Sequence, residues 1–225
     1  ERQPNLLFAA ARAADPDLID PAQITPRDDE YLRFRSSLHA HWTEICRVTA
    51  SRHTQTNEAA RIAVLLPALS AIHRACGKPL ALIELGASAG LVLHADKWKY
   101  HYADRNGETI ARFSGGEAGA EPVDELTVTV GSGVEWVPGS MPPIEWRVGV
   151  DLNPIDVTRH ADADWLRLLI WPGQTARLAR LDHAIEAART DPVRVIPRDL
   201  TQPGVIEEML RLVPTDLHPV VFHGA

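Results

Sequence analysis

The amino-acid sequence predicts an α/β protein built around a mostly parallel, doubly wound β-sheet. Helical periodicity fills the first eighty residues, and a continuous apolar run at residues 80–85 is followed by a turn of small residues at 86–90. Strand-like and helix-like segments then alternate up to residue 223. Strands that are buried on both faces of a parallel sheet have this continuous apolar character. We therefore expect a helical section over residues 1–78 and an α/β core over residues 79–225.

The helical section contains apolar residues at helical spacing. Residues 6–14, 31–50 and 57–75 predict helices, and Gly77 and Pro79 end the last of them. Asp28 and Asp29 precede the second helix, where carboxylates interact favourably with the helix dipole.

Residues 99–145 have a different pattern from the core and predict a β-rich insertion. Segments 110–113 and 126–130 alternate in polarity like half-exposed antiparallel strands, and the Gly-rich acidic segment 114–125 between them predicts a mobile loop. The whole section is too long for an ordinary connection of about 2–6 residues.

The remaining segments complete the α/β pattern. Predicted helices cover residues 91–98, 163–171, 174–190 and 205–212, and predicted strands cover residues 146–150, 193–196 and 219–222. Together with residues 80–85 these give four strands, as expected for a doubly wound sheet.

Composition excludes several classes of protein. The 225 residues carry a net charge of −7, are 45% hydrophobic and 24% charged, and contain no apolar run of the roughly 20 residues that a membrane span needs. This is typical of a soluble protein without a general surface for nucleic acids. Cys46 and Cys76 lack the spacing of a disulfide scaffold or a thiolate metal site, which favours the cytoplasm. His39 and His41 do not match the spacing of a metal pair, so no metal is expected.

The carboxyl ends of the predicted strands carry the candidate binding residues. Ligands of doubly wound sheets bind at this edge, and here it holds Glu84 with the 86–90 turn, then Asp151, Asp199 and His223. Three carboxylates beside a glycine turn suit a ligand with hydroxyl groups and a cationic or amino group. They suit a ligand dominated by phosphates poorly.

The turn at residues 84–90 matches three motifs to different degrees. The dinucleotide fingerprint G-x-G-x-x-G fails at Ser88 and Leu91. The nucleophile elbow G-x-S-x-G matches literally and would make Ser88 the nucleophile of a serine esterase. The E/D-x-G-x-G-x-G turn of S-adenosylmethionine-dependent methyltransferases matches with Ser88 in place of the middle glycine.

Context favours the methyltransferase interpretation over the esterase. A hydrolase elbow normally follows several strands, whereas helices precede this one, and the carboxylate of Glu84 is placed to hold a cofactor. Asp151 at the end of the next core strand can accept hydrogen bonds from a ribose diol.

Several strings resemble a bacterial protein family. Residues 54–58 (TQTNE), 65–69, 84–91 and 149–154, with Trp165-Leu166 and Trp171-Pro172, are similar to the family catalogued as domain of unknown function 2332. The resemblance extends from about Thr54 to the last residue. It implies a Rossmann-like fold of methyltransferase type, and no established activity comes with it.

Similarity to methyltransferases implies a role for each residue at the sheet edge. The turn residues Gly86, Ala87, Ser88 and Gly90 would let the methionine end of S-adenosylmethionine approach the backbone. Asp151 would hold the ribose hydroxyls, and Asp199 or its neighbour Leu200 would lie against the adenine. His223 would face the substrate and remove its proton where one must be lost. Asn57, in a loop that reaches the cofactor, suits its amino-acid end.

Each of these residues also has a structural interpretation, and the sequence leaves both open. The glycines permit a tight turn. Serine and aspartate often cap helices, which applies to Ser88, Asp151 and Asp199. A histidine at a strand end, such as His223, is often hydrogen-bonded for structural reasons alone.

The predicted function is methyl transfer from S-adenosylmethionine to an unknown small-molecule acceptor. A non-catalytic nucleoside-binding module of the same fold is the alternative, and a serine esterase is the third possibility. A methyltransferase-type sheet continues past its fourth strand, so we expect the chain to be a fragment whose core is incomplete at the C-terminus.

Overall fold

A computed structural model of the chain describes residues 3–20, 22, 29–116 and 124–224. The chain forms two compact units. The helical unit comprises Glu1–Thr56 and Asp156–Asp182, and the sheet unit comprises Asn57–Ile155 and His183–Ala225. These boundaries differ from a division at residue 78, because residues 57–78 belong with the sheet and residues 156–182 with the N-terminal helices.

The element order combines helices with two groups of strands. The helices are α1 (Pro4–Ala14), α2 (Glu30–Ser51), α3 (Arg61–Cys76), α4 (His160–Leu168), α5 (Thr175–Thr190) and α6 (Val205–Leu210). The strands are β1 (Leu80–Leu85), β2 (Lys99–Ala103), β3 (Thr109–Ser114), β4 (Glu125–Thr129), β5 (Ile144–Asp151), β6 (Val195–Pro197) and β7 (His218–His223). The predicted mixed α/β class is confirmed, and most element ends lie within a few residues of the predicted ones.

The helical unit packs α1, α2 and α4 around a small apolar core. Ala9, Ala10 and Ala11 on α1 are buried, because their small side chains allow close approach of the neighbouring helices. Arg12 donates from Nη1 to the carbonyl oxygens of Leu168 and Ile170, at 3.0 and 2.8 Å. This guanidinium satisfies carbonyl groups at the end of α4 that have no partner within the helix.

The sheet unit is built on a parallel four-stranded sheet with the order β6-β5-β1-β7. Strands β5 and β7 both pair in parallel with β1, and β6 pairs in parallel with β5. Consecutive core strands are joined by long segments, as parallel pairing requires. The carboxyl ends of all four strands therefore meet at one edge of the sheet.

Strand register decides which face of the sheet each side chain occupies. Ile83 lies beside Val148 and Val221, and this face packs against Val205 and Met209 of α6. The opposite face carries Glu84, whose partners in the register are Gly149 and Phe222. Successive residues of a strand point to opposite faces, so Asp151 lies on the Glu84 face.

The β-rich insertion forms a separate three-stranded sheet with the order β3-β2-β4. β3 is antiparallel to β2, a strand that the sequence did not predict. β4 is parallel to β2, so the antiparallel prediction for residues 126–130 was wrong. β2 lies between β3 and β4, so these two strands do not pair with each other. Most of the predicted loop at 114–125 lies outside the described residues.

The predicted helix over residues 91–98 was also wrong. Two 3-10 turns, Leu91–Leu93 and Ala95–Lys97, occupy this segment and meet at His94, whose ψ of 53° is not helical. Leu91, Val92 and Leu93 are all buried. Three consecutive buried side chains leave no polar face for an amphipathic helix, because they point around more than half of the helix circumference.

Candidate functional site

The turn after β1 depends on three residues with positive φ. Gly86 and Gly90 have φ of 72° and 70°, which glycine adopts without steric cost. Ser88 has φ of 52° and is the one non-glycine residue with positive φ in the part of the chain that the structure describes. A side chain in this region costs about 1–2 kcal/mol, so other contacts must hold Ser88 there.

The ends of the turn are fastened to β5 and to the turn itself. The N–H groups of Gly86 and Ala87 both donate to the carbonyl oxygen of Val150, at 2.8 and 3.0 Å. The N–H of Gly90 donates to the carbonyl oxygen of Ala87 at 2.7 Å. These bonds place the turn directly over the carboxyl end of β5.

The middle of the turn is held by two side chains. The N–H of Ser88 donates to Oδ2 of Asp151 at 2.7 Å, and the N–H of Ala89 donates to Oδ1 of Asn57 at 3.4 Å. Every N–H group from residue 86 to residue 90 thus has a protein acceptor. A phosphate cradle or an oxyanion hole needs such groups free, so the turn does not offer one.

Asp151 orients its carboxylate with two backbone donors. In addition to Ser88 at Oδ2, the N–H of Asn153 donates to Oδ1 at 2.8 Å. A carboxylate has about four acceptor positions, so each oxygen keeps capacity for one further donor. The helix-cap interpretation of Asp151 was wrong, because the next helix begins at His160 with Arg159 as its N-cap. The carboxylate instead holds the turn, and this contact is compatible with a ligand role.

Asn57 holds the side chain of Ser88. Its Nδ2 donates to Oγ of Ser88 at 2.9 Å, and Ser88 is only 4% exposed. The loop before α3 therefore reaches the turn, as the sequence predicts for Asn57. The interpretation of Ser88 as a helix N-cap was wrong, because the 3-10 turn that follows begins after Gly90 and has no side-chain cap.

Glu84 is a buried carboxyl group at the end of β1. It is 2% exposed, and its Oε2 has no hydrogen-bond partner among the described residues. Burial raises its pKa to about 8, with Arg61 lowering the pKa and Asp151 raising it. A buried polar atom without a partner is costly in a folded protein, so Oε2 marks a position where a donor is missing.

Arg61, the first residue of α3, lies close to this carboxyl group. A Cβ atom placed on Gly224 would stand 3.3 Å from Nη1 of Arg61 and 3.4 Å from Oε1 of Glu84. Within the described residues, no hydrogen bond or ion pair engages the Arg61 guanidinium. Arg61 was not predicted as a site residue, since a lone arginine at a helix start belongs to no motif.

Comparison with known proteins identifies the chain's family. The family described as "Uncharacterized protein conserved in bacteria (DUF2332)" matches residues 1–225. The chain belongs to the DUF2332 family. The resemblance that the sequence shows from residue 54 onward is confirmed and covers the whole chain. A search of curated proteins and a search of solved structures found no match.

In this DUF2332 protein, Asp199 makes local contacts. Its Oδ1 accepts hydrogen bonds from the N–H and hydroxyl of Thr201, at 2.9 and 2.7 Å, and Gln202 donates to Oδ2 at 3.4 Å. The hydroxyl of Thr201 is the largest cause of a lowered pKa for Asp199. This aspartate stabilises the turn after β6, and its role toward adenine stays a prediction.

His223 ends β7 beside Leu85, the last residue of β1. Its side chain is exposed, and the register places it on the α6 face of the sheet, opposite to Glu84. The structure therefore brings His223 to the predicted edge but not to the face that holds Glu84 and Asp151. A catalytic role for His223 stays a prediction.

Gly149 and His94 support the turn and were missed by sequence reasoning. A Cβ on Gly149 would come within 2.6 Å of Cβ of Ala87 and 3.1 Å of Cγ2 of Val195, so only glycine lets the turn lie on β5. His94 is buried with Nδ1 3.2 Å from the carbonyl oxygen of Gly90. Desolvation by burial lowers the pKa of His94. Neither residue belongs to a motif in the sequence that would indicate its role in supporting the turn.

Two further observations concern the described residues. No described helix has the length and apolar character needed to cross a membrane. No cluster of three or more His, Cys, Asp or Glu side chains suited to a metal ion occurs among them. Cys46 and Cys76 are free thiols, and the cytoplasmic location stays a prediction.

Proposed function

We propose that this DUF2332 protein binds S-adenosylmethionine at the carboxyl edge of its parallel sheet and transfers the methyl group to a small-molecule acceptor. The observation that carries the proposal is Oε2 of Glu84, a buried carboxyl oxygen that has no hydrogen-bond partner among the described residues. A ligand amino group would supply that donor.

The topology supports this location for the ligand. Numbered along the chain, the core strands have the order 3-2-1-4 (β6-β5-β1-β7), which is the beginning of the Rossmann order. In such sheets ligands bind where the strand order reverses. That point lies beside β1, whose carboxyl end carries Glu84 and the turn.

The residues at this edge fit the chemical character of S-adenosylmethionine. Carboxylates are present for its amino and ribose hydroxyl groups, and the turn N–H groups already donate within the protein, which disfavours a phosphate ligand. Asp151 retains acceptor positions for ribose hydroxyls. Asn57 engages the side chain of Ser88, the residue that departs from the methyltransferase motif.

When bound, S-adenosylmethionine supplies a methyl group on a sulfonium for in-line displacement, so orientation and exclusion of water are the main tasks of the protein. Asp151, oriented by two backbone N–H groups, would fix the ribose. Glu84 would accept a hydrogen bond from the amino group, and Gly86 and Gly90 give the turn its shape. His223 would accept a proton from the acceptor where the acceptor must lose one.

Calorimetric titration of the full chain with S-adenosylmethionine and S-adenosylhomocysteine tests the proposal. We expect binding of both, with at least tenfold weaker binding in Asp151→Ala, since hydrogen bonds to a charged group contribute about 1.5–3 kcal/mol. Asp216→Ala, an exposed aspartate in the same unit, is the matched control and should bind normally. If the wild-type chain binds neither compound, the proposal is wrong.

A non-catalytic nucleoside-binding module is the second candidate. It is favoured by the placement of His223 and Glu84 on opposite faces of the sheet, which leaves a binding face without the predicted base. Incubation with methyl-labelled S-adenosylmethionine and a bacterial metabolite extract separates the two functions. Transfer of label that Asp151→Ala reduces supports the enzyme, and binding without transfer supports the module.

A serine esterase is the third candidate, favoured by the positive φ of Ser88, because a nucleophile elbow is a strained turn. Two features oppose it. Ser88 is buried, and the N–H of Ala89, which an esterase would use in its oxyanion hole, donates to Asn57. A fluorophosphonate probe should not label the protein; labelling that Ser88→Ala abolishes would establish the esterase.

A further inference from the structure

We propose that Arg61 and Glu84 act together as a recognition site for an amino-acid group, with Glu84 facing its ammonium and Arg61 facing its carboxylate. This inference rests on the proposed function and extends it. The site would bind nucleoside ligands that carry a complete amino-acid end and discriminate against those that lack the carboxylate. Arg61 is then the specificity-determining residue.

The first support is the position of the two charged groups. Both approach the backbone of Gly224, since a Cβ there would lie 3.3 Å from Nη1 of Arg61 and 3.4 Å from Oε1 of Glu84. Arg61 begins α3, and Glu84 is the next-to-last residue of β1, on the sheet face that carries Asp151. A guanidinium and a carboxyl group therefore both lie against the backbone of Gly224.

The second support is that these groups do not satisfy each other. Oε2 of Glu84 has no hydrogen-bond partner, and among the described residues no ion pair joins Glu84 to Arg61. Arg61 acts on Glu84 only through its charge, which opposes the effect of burial on the pKa of this carboxyl group. An ammonium bound at Glu84 would favour the ionised carboxylate, and the guanidinium of Arg61 would then engage the carboxylate of the same zwitterion.

The chemistry of each partner fits its assigned role. An arginine guanidinium is planar and presents paired donors that match the two oxygens of a carboxylate. Arg61 is half-buried, so water competes less for this interaction than at an exposed site. A side chain at Gly224 would crowd both groups, so glycine at this position leaves their positions undisturbed.

The test compares two ligands that differ only in the carboxylate. S-adenosylmethionine and its decarboxylated form are titrated into the wild-type full chain and into Arg61→Gln, with binding followed by calorimetry. We expect the wild type to prefer S-adenosylmethionine by about tenfold or more, and Arg61→Gln to lose that preference while keeping its affinity for the decarboxylated ligand. Arg61→Lys keeps the positive charge but lacks the planar, paired donors of the guanidinium, so it should retain part of the preference for S-adenosylmethionine.

Glu84→Gln supplies the complementary measurement. It should weaken both ligands alike, because both carry the ammonium, and leave binding of 5′-methylthioadenosine, which lacks the whole amino-acid end, unchanged. Arg74→Gln, an exposed arginine near the other end of α3, is the matched control and should behave as wild type.

The outcomes separate the two proposals. If the wild type binds both ligands equally, or Arg61→Gln weakens both equally with an unchanged melting temperature, the amino-acid site is wrong and the cofactor proposal stands. If the wild type binds none of the nucleosides, both are wrong.

Discussion

The backbone N–H of Ser88 donates a 2.7 Å hydrogen bond to Oδ2 of Asp151, a residue 63 positions further along the chain. This bond joins the turn after β1 to the end of β5. It gives Asp151 a structural role in shaping the site and at the same time orients the carboxylate for a ligand. For this residue, holding the turn and binding a ligand are compatible functions.

Removal of that carboxylate should destabilise the sheet unit. Asp151→Ala leaves the N–H groups of Ser88 and Asn153 without their acceptor, so we expect a loss of about 2 kcal/mol in the free energy of unfolding. Urea denaturation measures the change. Asp199→Ala, which removes only local turn contacts at the end of β6, should cost clearly less; an equal cost would contradict this account of Asp151.

Gly149→Ala should be among the most destabilising single substitutions in this unit. The added Cβ would lie 2.6 Å from Cβ of Ala87 and 3.1 Å from Cγ2 of Val195, so the turn or the strand must shift. We expect a loss of about 1–3 kcal/mol or more, measured by chemical denaturation.

The contact with Ala87 can be isolated by a compensating change. Ala87→Gly in the Gly149→Ala background should recover part of the loss, because it removes one of the two clashing atoms. Gly139→Ala, whose Cβ would meet no atom within 4 Å, is the matched control. A similar loss at Gly139 would mean that backbone entropy, rather than the clash, dominates.

At position 88, replacement of serine by glycine should destabilise the protein less than replacement by alanine. Both substitutions lose the hydrogen bond from Asn57, but only glycine relieves the positive φ of 52°. Ser88→Gly should therefore be more stable than Ser88→Ala by about 1 kcal/mol. Thermal denaturation of the two variants gives the difference directly, and the reverse order would show that Ser88 does not adopt this backbone conformation.

Glu84 should make stability fall as the pH rises. Its pKa in the folded protein is raised from 4.5 to about 8, so between these values the folded state retains a proton that the unfolded chain releases. The free energy of unfolding is therefore highest below pH 4.5 and falls by about 1.4 kcal/mol per pH unit up to about pH 8. Urea denaturation at pH 5, 7 and 9 measures this trend.

Glu84→Gln isolates the contribution of this carboxyl group. The variant cannot ionise at this position, so its advantage over the wild type should grow from pH 5 to pH 9. Glu207→Gln, an exposed glutamate on α6, should follow the wild type at every pH. A constant difference between Glu84→Gln and wild type across this range would show that Glu84 ionises normally.

Local sequence was sufficient to predict several strands of the core and the residues at their ends. The run at residues 80–85 is β1 with the predicted ends, because a segment of consecutive apolar residues is buried whichever strands flank it. Asp151 and His223 end β5 and β7 at the predicted edge. The segment after the turn was predicted less well, since its burial on all sides comes from tertiary contacts that periodicity does not record.

The sequence by itself determined the parallel α/β core, its strand ends and the family to which the chain belongs. Only the tertiary structure decided which of these residues share a site. Strand register places Glu84 and Asp151 on one face and His223 on the other. The positions of α3 and of the segment after β7 bring Arg61 and Gly224 to the carboxyl group of Glu84. Pairing between distant strands sets these faces, because a shift of one residue in register moves every side chain to the opposite face.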